Sequence, residues 1–215
     1  MVNIIWGVDS AASVDTNLHK CVLRLGNPVF WGRYLSRVEG VSEGLTKSEI
    51  SFIRSKGIKI SPIYNDFRSA TGSQNGRVAA RNAIYHAKKL SIPTNVVLFA
   101  NIEDQFEVDA DWILAWKDTI YPSGYRPGLY ANPTKGDFGK AYCEAVSRDK
   151  QVGVQTLLWS SWPRPGTSGR SAAPKYKPNL PKCSSNTWSW QYGRDAKACP
   201  VDTNLADSRL LNYLY

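Results

Sequence analysis

The sequence predicts an α/β protein, a single-domain irregular TIM-like (β/α)8 barrel spanning residues 1–215, with an open doubly wound sheet as the alternative. Three features carry this expectation. Short apolar runs alternate six times with amphipathic stretches of helical period, the pattern of a parallel sheet wound by right-handed crossovers. Gly, Pro, Asn and Ser punctuate the junctions. Several runs end on a polar or charged residue, and folds of this type gather ligands at the carboxyl ends of their strands.

Residues 4–9 read as a first strand finishing on Asp9, and a helix over residues 14–25 is stopped by Gly26, Asn27 and Pro28. Residues 29–35 form a second strand. Thr46 is placed to cap a helix over residues 47–56, with Glu49 completing a capping box and Gly57 ending the helix. A third strand over residues 58–64 runs into the polar loop 65–72. Ala79, Ala80, Ala83, Ile84 and Ala87 then mark one face of a long helix over residues 73–90.

Residues 96–104 hold the fourth strand. Alternation there puts Val97, Phe99, Asn101 and Glu103 on one face and Leu98, Ala100 and Ile102 on the other, so Glu103 projects from the last inward position. The alternative is that Glu103 and Asp104 open the loop or cap the helix over residues 109–120. A fifth strand (126–131), a helix (138–147) and a sixth strand (156–161) follow. The rhythm then breaks at the Pro-, Ser-, Gly- and Lys-rich loop 162–186, of a length that is functional or disordered in compact domains. Strands at 187–192 and 200–202 complete eight parallel-type strands, and residues 207–214 read as a closing helix.

With 215 residues, 42% hydrophobic and 12% aromatic, the chain can bury one large core. The net charge of +9 favours a polyanionic partner: nucleic acid, an anionic membrane surface or an acidic wall polymer. Lys and Arg are scattered and no nucleic-acid-binding motif appears, which argues against nucleic acid. No run of about eighteen apolar residues predicts a transmembrane segment. Residues 1–7 lack the basic start and long apolar stretch of a secretory signal, which leaves a signal already removed or another export route.

Cys21, Cys143, Cys183 and Cys199 show no Cys-x-x-Cys spacing, and His19 and His86 fall in helical patterns, so no metal site is expected. Cys183 and Cys199 flank the Trp-rich segment 187–192; they either close a disulfide worth about 3 kcal/mol or stay as free thiols. Cys21 and Cys143, within helical stretches, read as small buried residues. No phosphate-binding glycine loop and no Gly-x-Ser-x-Gly elbow occurs, which predicts no nucleotide cofactor and no serine nucleophile.

The predicted strand ends carry Asp9, Arg33, Tyr64, Asp66, Asn101, Glu103, Tyr130, Asn132, Trp159, Tyr192 and Asp202. Carboxylates, amides and aromatic rings at a barrel mouth suit a sugar, which has polar edges for hydrogen bonds and an apolar face for stacking. Glycoside hydrolysis needs one carboxyl that protonates the leaving oxygen and a second group that stabilises or attacks the anomeric carbon. Glu103 is the candidate acid, with Asp9 and Asp202 as its neighbours. Trp159, Trp162, Trp188 and Trp190 have an alternative reading as packing residues beneath helices. Arg33 has an equal claim as a buried ion-pair partner of Asp9 or Asp66.

The series Gly7-Val8-Asp9, Trp31-Gly32-Arg33-Tyr34-Leu35, Leu45-Thr46-x-x-Glu49, Gly57-Ile58-x-Ile60-x-Pro62-Ile63-Tyr64, Asn101-x-Glu103, Gly128-Leu129-Tyr130, Leu158-Trp159, Trp190-Gln191-Tyr192 and Val201-Asp202 resembles the glycoside-hydrolase-like domain, of unassigned function, related to family 25 lysozymes. The likeness runs through nearly the whole chain. It implies an irregular β/α barrel and a muramidase-like activity, cutting the bond between N-acetylmuramic acid and N-acetylglucosamine in bacterial peptidoglycan. It implies that Glu103 is the general acid of an Asp-x-Glu motif, Asp9 the carboxylate ending the first strand and Asp202 that of the last. Asn101, Arg33, Tyr64, Asp66, Tyr130, Trp159, Trp190, Gln191 and Tyr192 are then candidate substrate-binding residues.

Position 101 departs from the pattern, because asparagine cannot ionise where the lysozymes carry aspartate. Two readings follow: a working but altered hydrolase, or a cell-wall carbohydrate-binding module that has lost its chemistry. Either fits an extracellular or wall-associated protein with an anionic wall glycan as partner. A role as lysin, toxin or remodelling enzyme stays open, as does an inhibitor or immunity protein as a second partner.

Overall fold

Eight strands close into one barrel, in chain order, in the computed structural model, which describes residues 3–215. The first two residues of the stretch read for an export signal lie outside it. The strands are β1 (Ile4–Ser10), β2 (Phe30–Tyr34), β3 (Lys59–Tyr64), β4 (Val97–Asn101), β5 (Arg126–Ala131), β6 (Leu157–Ser161), β7 (Asn186–Gly193) and β8 (Asp202–Asp207). Helices α1 (Thr16–Leu23), α2 (Lys47–Ser55), α3 (Ser73–Lys89), α4 (Ala110–Ile120), α5 (Phe138–Arg148) and the short α6 (Gln151–Gln155) lie in the connections.

Period-two alternation sorts side chains between the barrel's inside and its outer wall. In β4, Val97 and Phe99 face an inner cluster with Ile5, Phe30, Ile63, Tyr130 and Trp159, while Leu98, Ala100 and Ile102 join the outer cluster beneath α3, α4 and α5. The expected inward set of β4 is thus the observed one. From the opposite end, Leu210 of a 3-10 segment, Ser208–Tyr213, and Leu214 just after it close the floor. That segment replaces the expected closing helix.

β8 is not parallel to its neighbours. It runs antiparallel to both β1 and β7 and starts at Asp202, the residue that ends the strand expected from the sequence. The reason is loop length: a parallel crossover needs a dozen or more residues, and 194–201 is too short for one. Reversal preserves the outcome for Asp202, because the first residue of an antiparallel strand lies at the same rim as the last residues of parallel ones. Asp9 and Asp202 are register partners.

The capping box at α2 is half formed. Thr46 Oγ1 accepts the Glu49 N–H at 3.1 Å, but the Glu49 carboxylate turns inward to Arg33 and to the Val14 N–H. The disulfides also differ from the expected pairing: Cys21 joins Cys199, and Cys143 joins Cys183. Cys183 and Cys199 each meet the helix nearest to them, α5 and α1, which flank different parts of the wall. The helical cysteines are therefore cross-linked, not merely small buried residues. Loop 162–185 is ordered against the barrel: the Arg170 N–H donates to Leu25 O at 2.7 Å, Tyr192 Oη donates to Ser168 O at 2.7 Å, and Cys183 fixes its far end.

Candidate active site

Trp159 forms the floor of the mouth. Its indole meets Phe99 and Tyr130 edge-on at 5.3 and 5.5 Å and is 1% exposed, so it supports the site and presents no stacking face to a ligand. Room for it comes from Gly32, where a Cβ would lie 2.6 Å from Asp9 Cβ and 2.7 Å from the Trp159 ring. The indole N–H can only donate, and it donates to Asn204 Oδ1 at 2.9 Å. That fixes the Asn204 amide with its NH2 toward Asp9 Oδ2, 2.7 Å away.

Gln191 is oriented by the same logic. Its Oε1 accepts from Tyr130 Oη at 2.8 Å and from Arg194 Nε at 2.9 Å, so its NH2 must face the other way. There Nε2 reaches both carboxylates, Asp9 at 3.2 Å and Asp202 at 2.9 Å. The remaining Asp202 oxygen accepts the Asp195 N–H at 2.7 Å. Glu103 stands across the mouth: Asn101 Nδ2 donates to its Oε1 at 2.9 Å, and Arg194 Nη2 lies 3.9 Å from its Oε2. Arg194 also donates from Nη2 to Tyr130 Oη and Ser161 Oγ, both at 2.8 Å, linking Glu103 to the aspartate pair.

Burial raises the pKa of Asp9, against the downward pull of the Asn204 and Gln191 amides. Burial and the neighbouring Asp9 charge push Asp202 up to about 8, with the Asp195 N–H opposing. Two carboxyls joined by one amide and short of solvent thus retain a proton where isolated aspartates would not. Burial, reinforced by the charge of Asp9, raises the Tyr34 hydroxyl, and burial likewise raises Tyr130, so both stay neutral hydrogen-bonding groups. The Glu103 side chain is 31% exposed whereas Asp9 is 4% exposed, so Glu103 is open to a ligand where Asp9 is not. Among the described residues no group of His, Cys, Asp and Glu has the arrangement of a metal site.

Asp9, Asp202, Glu103, Asn101, Tyr130 and Gln191 therefore meet at one rim, with Trp159 beneath. Six of the other sequence candidates lie elsewhere. Arg33 points outward, fully buried, with Nε 2.5 Å from Glu49 Oε1 and further bonds to Ser10 O, Ala11 O and Glu43 O. It pairs with neither Asp9 nor Asp66, because alternation in β2 gives the inside to Gly32 and Tyr34. Tyr64 packs under α3, stacked on Phe67 at 6.0 Å, and Asp66 is exposed outside the barrel beside Phe67 and Arg68. Trp190 stacks on Trp162 in the outer wall and donates to Trp162 O; Tyr192 accepts from Trp6 Nε1. Asn132 spends its carbonyl on the Thr134 turn.

Four residues of the rim escaped the sequence reading: Tyr34, Ser161, Asn204 and Arg194. The first three follow from counting by twos along the strand, from Gly32, Trp159 and Asp202. Arg194 sits in a loop and carries no such signal.

A closed eight-stranded barrel with carboxylates from its first and eighth strands and from just past its fourth at one mouth defines the class: a glycoside-hydrolase-like β/α barrel. A family model described as "Rv2525c-like, glycoside hydrolase-like domain" matches residues 28–199, and the chain belongs to that family. Among solved structures, an uncharacterized protein of B. stearothermophilus is 65% identical, with 98% of this chain and 100% of that one aligned at a TM-score of 0.97. The muramidase from Acremonium alcalophilum is 16% identical over 97% of this chain and 99% of its own, with a TM-score of 0.60. The modular autolysin LytC from Streptococcus pneumoniae, solved in complex with a synthetic peptidoglycan ligand, is 13% identical over 94% of this chain and 46% of its own, with a TM-score of 0.61. At those identities the likeness is one of fold: an irregular barrel of the family 25 lysozyme type. Among curated proteins no sequence matches.

Proposed function

We propose that this protein is a glycan-strand hydrolase of the bacterial cell wall, muramidase-like, cleaving the bond between N-acetylmuramic acid and N-acetylglucosamine. Glu103 is the proton donor to the leaving oxygen. The Asp9 and Asp202 pair, holding a proton between them, supplies the remaining negative charge opposite an oxocarbenium-like centre or positions the attacking water. Asn101 holds Glu103 and is free through its carbonyl to meet the sugar's N-acetyl N–H, while Tyr130 and Gln191 order the polar wall.

The observation that carries this reading is the convergence of Glu103, Asp9 and Asp202 on one rim through Gln191 and Arg194. The +9 charge suits an anionic wall polymer. Two disulfides suit an oxidising, extracellular or wall-associated setting, and no helix among the described residues is long and apolar enough to cross a membrane.

One feature favours a second reading, that of a wall-binding module: Asn101 cannot ionise, which removes one of the charges a hydrolase of this type uses. Purified protein incubated with peptidoglycan separates the two. New reducing ends, lost by about 10²–10⁴-fold in Glu103→Gln, are expected of the hydrolase. Release from neither form, with equal retention of both on the wall, would establish the binder instead.

A further inference from the structure

Beside the carboxylate rim lies a cavity of about 530 Å³, walled by residues 166–168 of the long loop and by 194–198 of the β7–β8 loop. We infer that this cavity takes a carboxylate-bearing acyl or peptide arm carried by the glycan whose sugar occupies the rim. The inference rests on the proposed glycan substrate and extends it to the substituent beside the cleaved bond.

Continuity is the first argument. Arg194 lines the cavity while its guanidinium bonds Tyr130 and Ser161 at the rim, and Asp195 lines it while its N–H holds Asp202. A ligand filling the rim thus reaches the cavity across a single residue.

Chemistry is the second. Lys197 and Asp195 stand exposed in the lining while Arg194 turns its guanidinium to the rim, and Leu25, Ala196 and Ala198 give an apolar side. Thr203, also in the lining, is fully buried and its hydroxyl has no hydrogen-bond partner, a deficit that an acceptor on a ligand would relieve. A lysine ammonium, an orphan donor and an aliphatic wall together describe a carboxylate on a short carbon arm. A bare phosphodiester would leave the aliphatic side unfilled.

The third argument is that the walls are already built. Gly193 passes so close to Thr167 that a Cβ would lie 2.5 Å from its Cα, Tyr192 Oη ties down Ser168 O, and the Cys21–Cys199 bridge anchors the other loop. A preformed cavity spares a ligand the ordering of its own pocket.

Calorimetric titration with two probes, muramyl dipeptide and chitobiose, tests this. The wild-type protein should bind muramyl dipeptide about tenfold more tightly than chitobiose, Lys197→Glu should weaken that binding about five- to tenfold, and Ala198→Trp, which fills the space from an exposed position, should abolish the preference. Equal affinity for the two probes, or muramyl dipeptide binding indifferent to both substitutions, overturns the inference. Reducing-end release from peptidoglycan stripped of its peptides keeps the two proposals apart. Release with no preference for muramyl dipeptide sinks the cavity and leaves the hydrolase, whereas substitution-sensitive binding without release from any wall sinks the hydrolase and leaves the cavity.

Discussion

Asp9 and Asp202 face each other across an antiparallel register and share one amide nitrogen, and this sets a pH dependence. In the unfolded chain each ionises near pH 4. In the folded barrel both are raised, Asp202 to about 8, so between these values the native state binds more protons than the unfolded one. Their contribution to stability is complete below about pH 4 and is lost as the pH climbs toward 8. Asp202→Asn should therefore flatten the decline in melting temperature between about pH 5 and 8, by several degrees relative to wild type. The comparison cancels His19 and His86, which burial lowers in both proteins. A melting curve set equally steep in both would refute the shared proton. Arg33 makes a different point at this scale. Arg33→Ala leaves Glu49 buried without its partner, and should cost about 3–5 kcal/mol in urea unfolding, most of it recovered in Arg33→Met with Glu49→Leu. Its place at a strand end suggested ligand contact, and only the parity of Gly32 and Tyr34 reveals that it faces the other way.

The strands were legible as elements because apolar runs and turn residues agree locally, and β5 falls on the residues expected of it. What alternation does not encode is the direction of a strand. The sequence pattern puts the last strand a few residues early and parallel to the others, yet its acidic residue lies at the expected rim, since reversing a strand exchanges its ends. Nor does sequence spacing encode which cysteines meet. Cys183 and Cys199 are near neighbours along the chain, but a barrel separates residues that follow different strands. The Cys21–Cys199 bridge spans 178 residues and Cys143–Cys183 spans 40. Loop-closure entropy then ranks them, about 5 against about 4 kcal/mol at most. Replacing Cys21 and Cys199 by serine should lower the unfolding free energy by about 2–5 kcal/mol, more than the same change at Cys143 and Cys183. The first replacement should also raise amide exchange across 194–201, while the second leaves that loop protected.

For the molecule as a whole, the candidate site lies at one end of the barrel and closure at the other. Glu103, Asp9 and Asp202 occupy the mouth, whereas Leu210 and Leu214 plug the base and the last residue, Tyr215, pairs its backbone with Ile60 near the start of β3. Because β8 runs backward, Asp207 returns to Ile4, and Asn3 accepts the Ser208 N–H there. Both ends of the described chain consequently emerge on the face remote from the mouth. Any polypeptide fused at either end, whether a flexible leash or a neighbouring module, would hold the barrel by its base and leave the opening unobstructed.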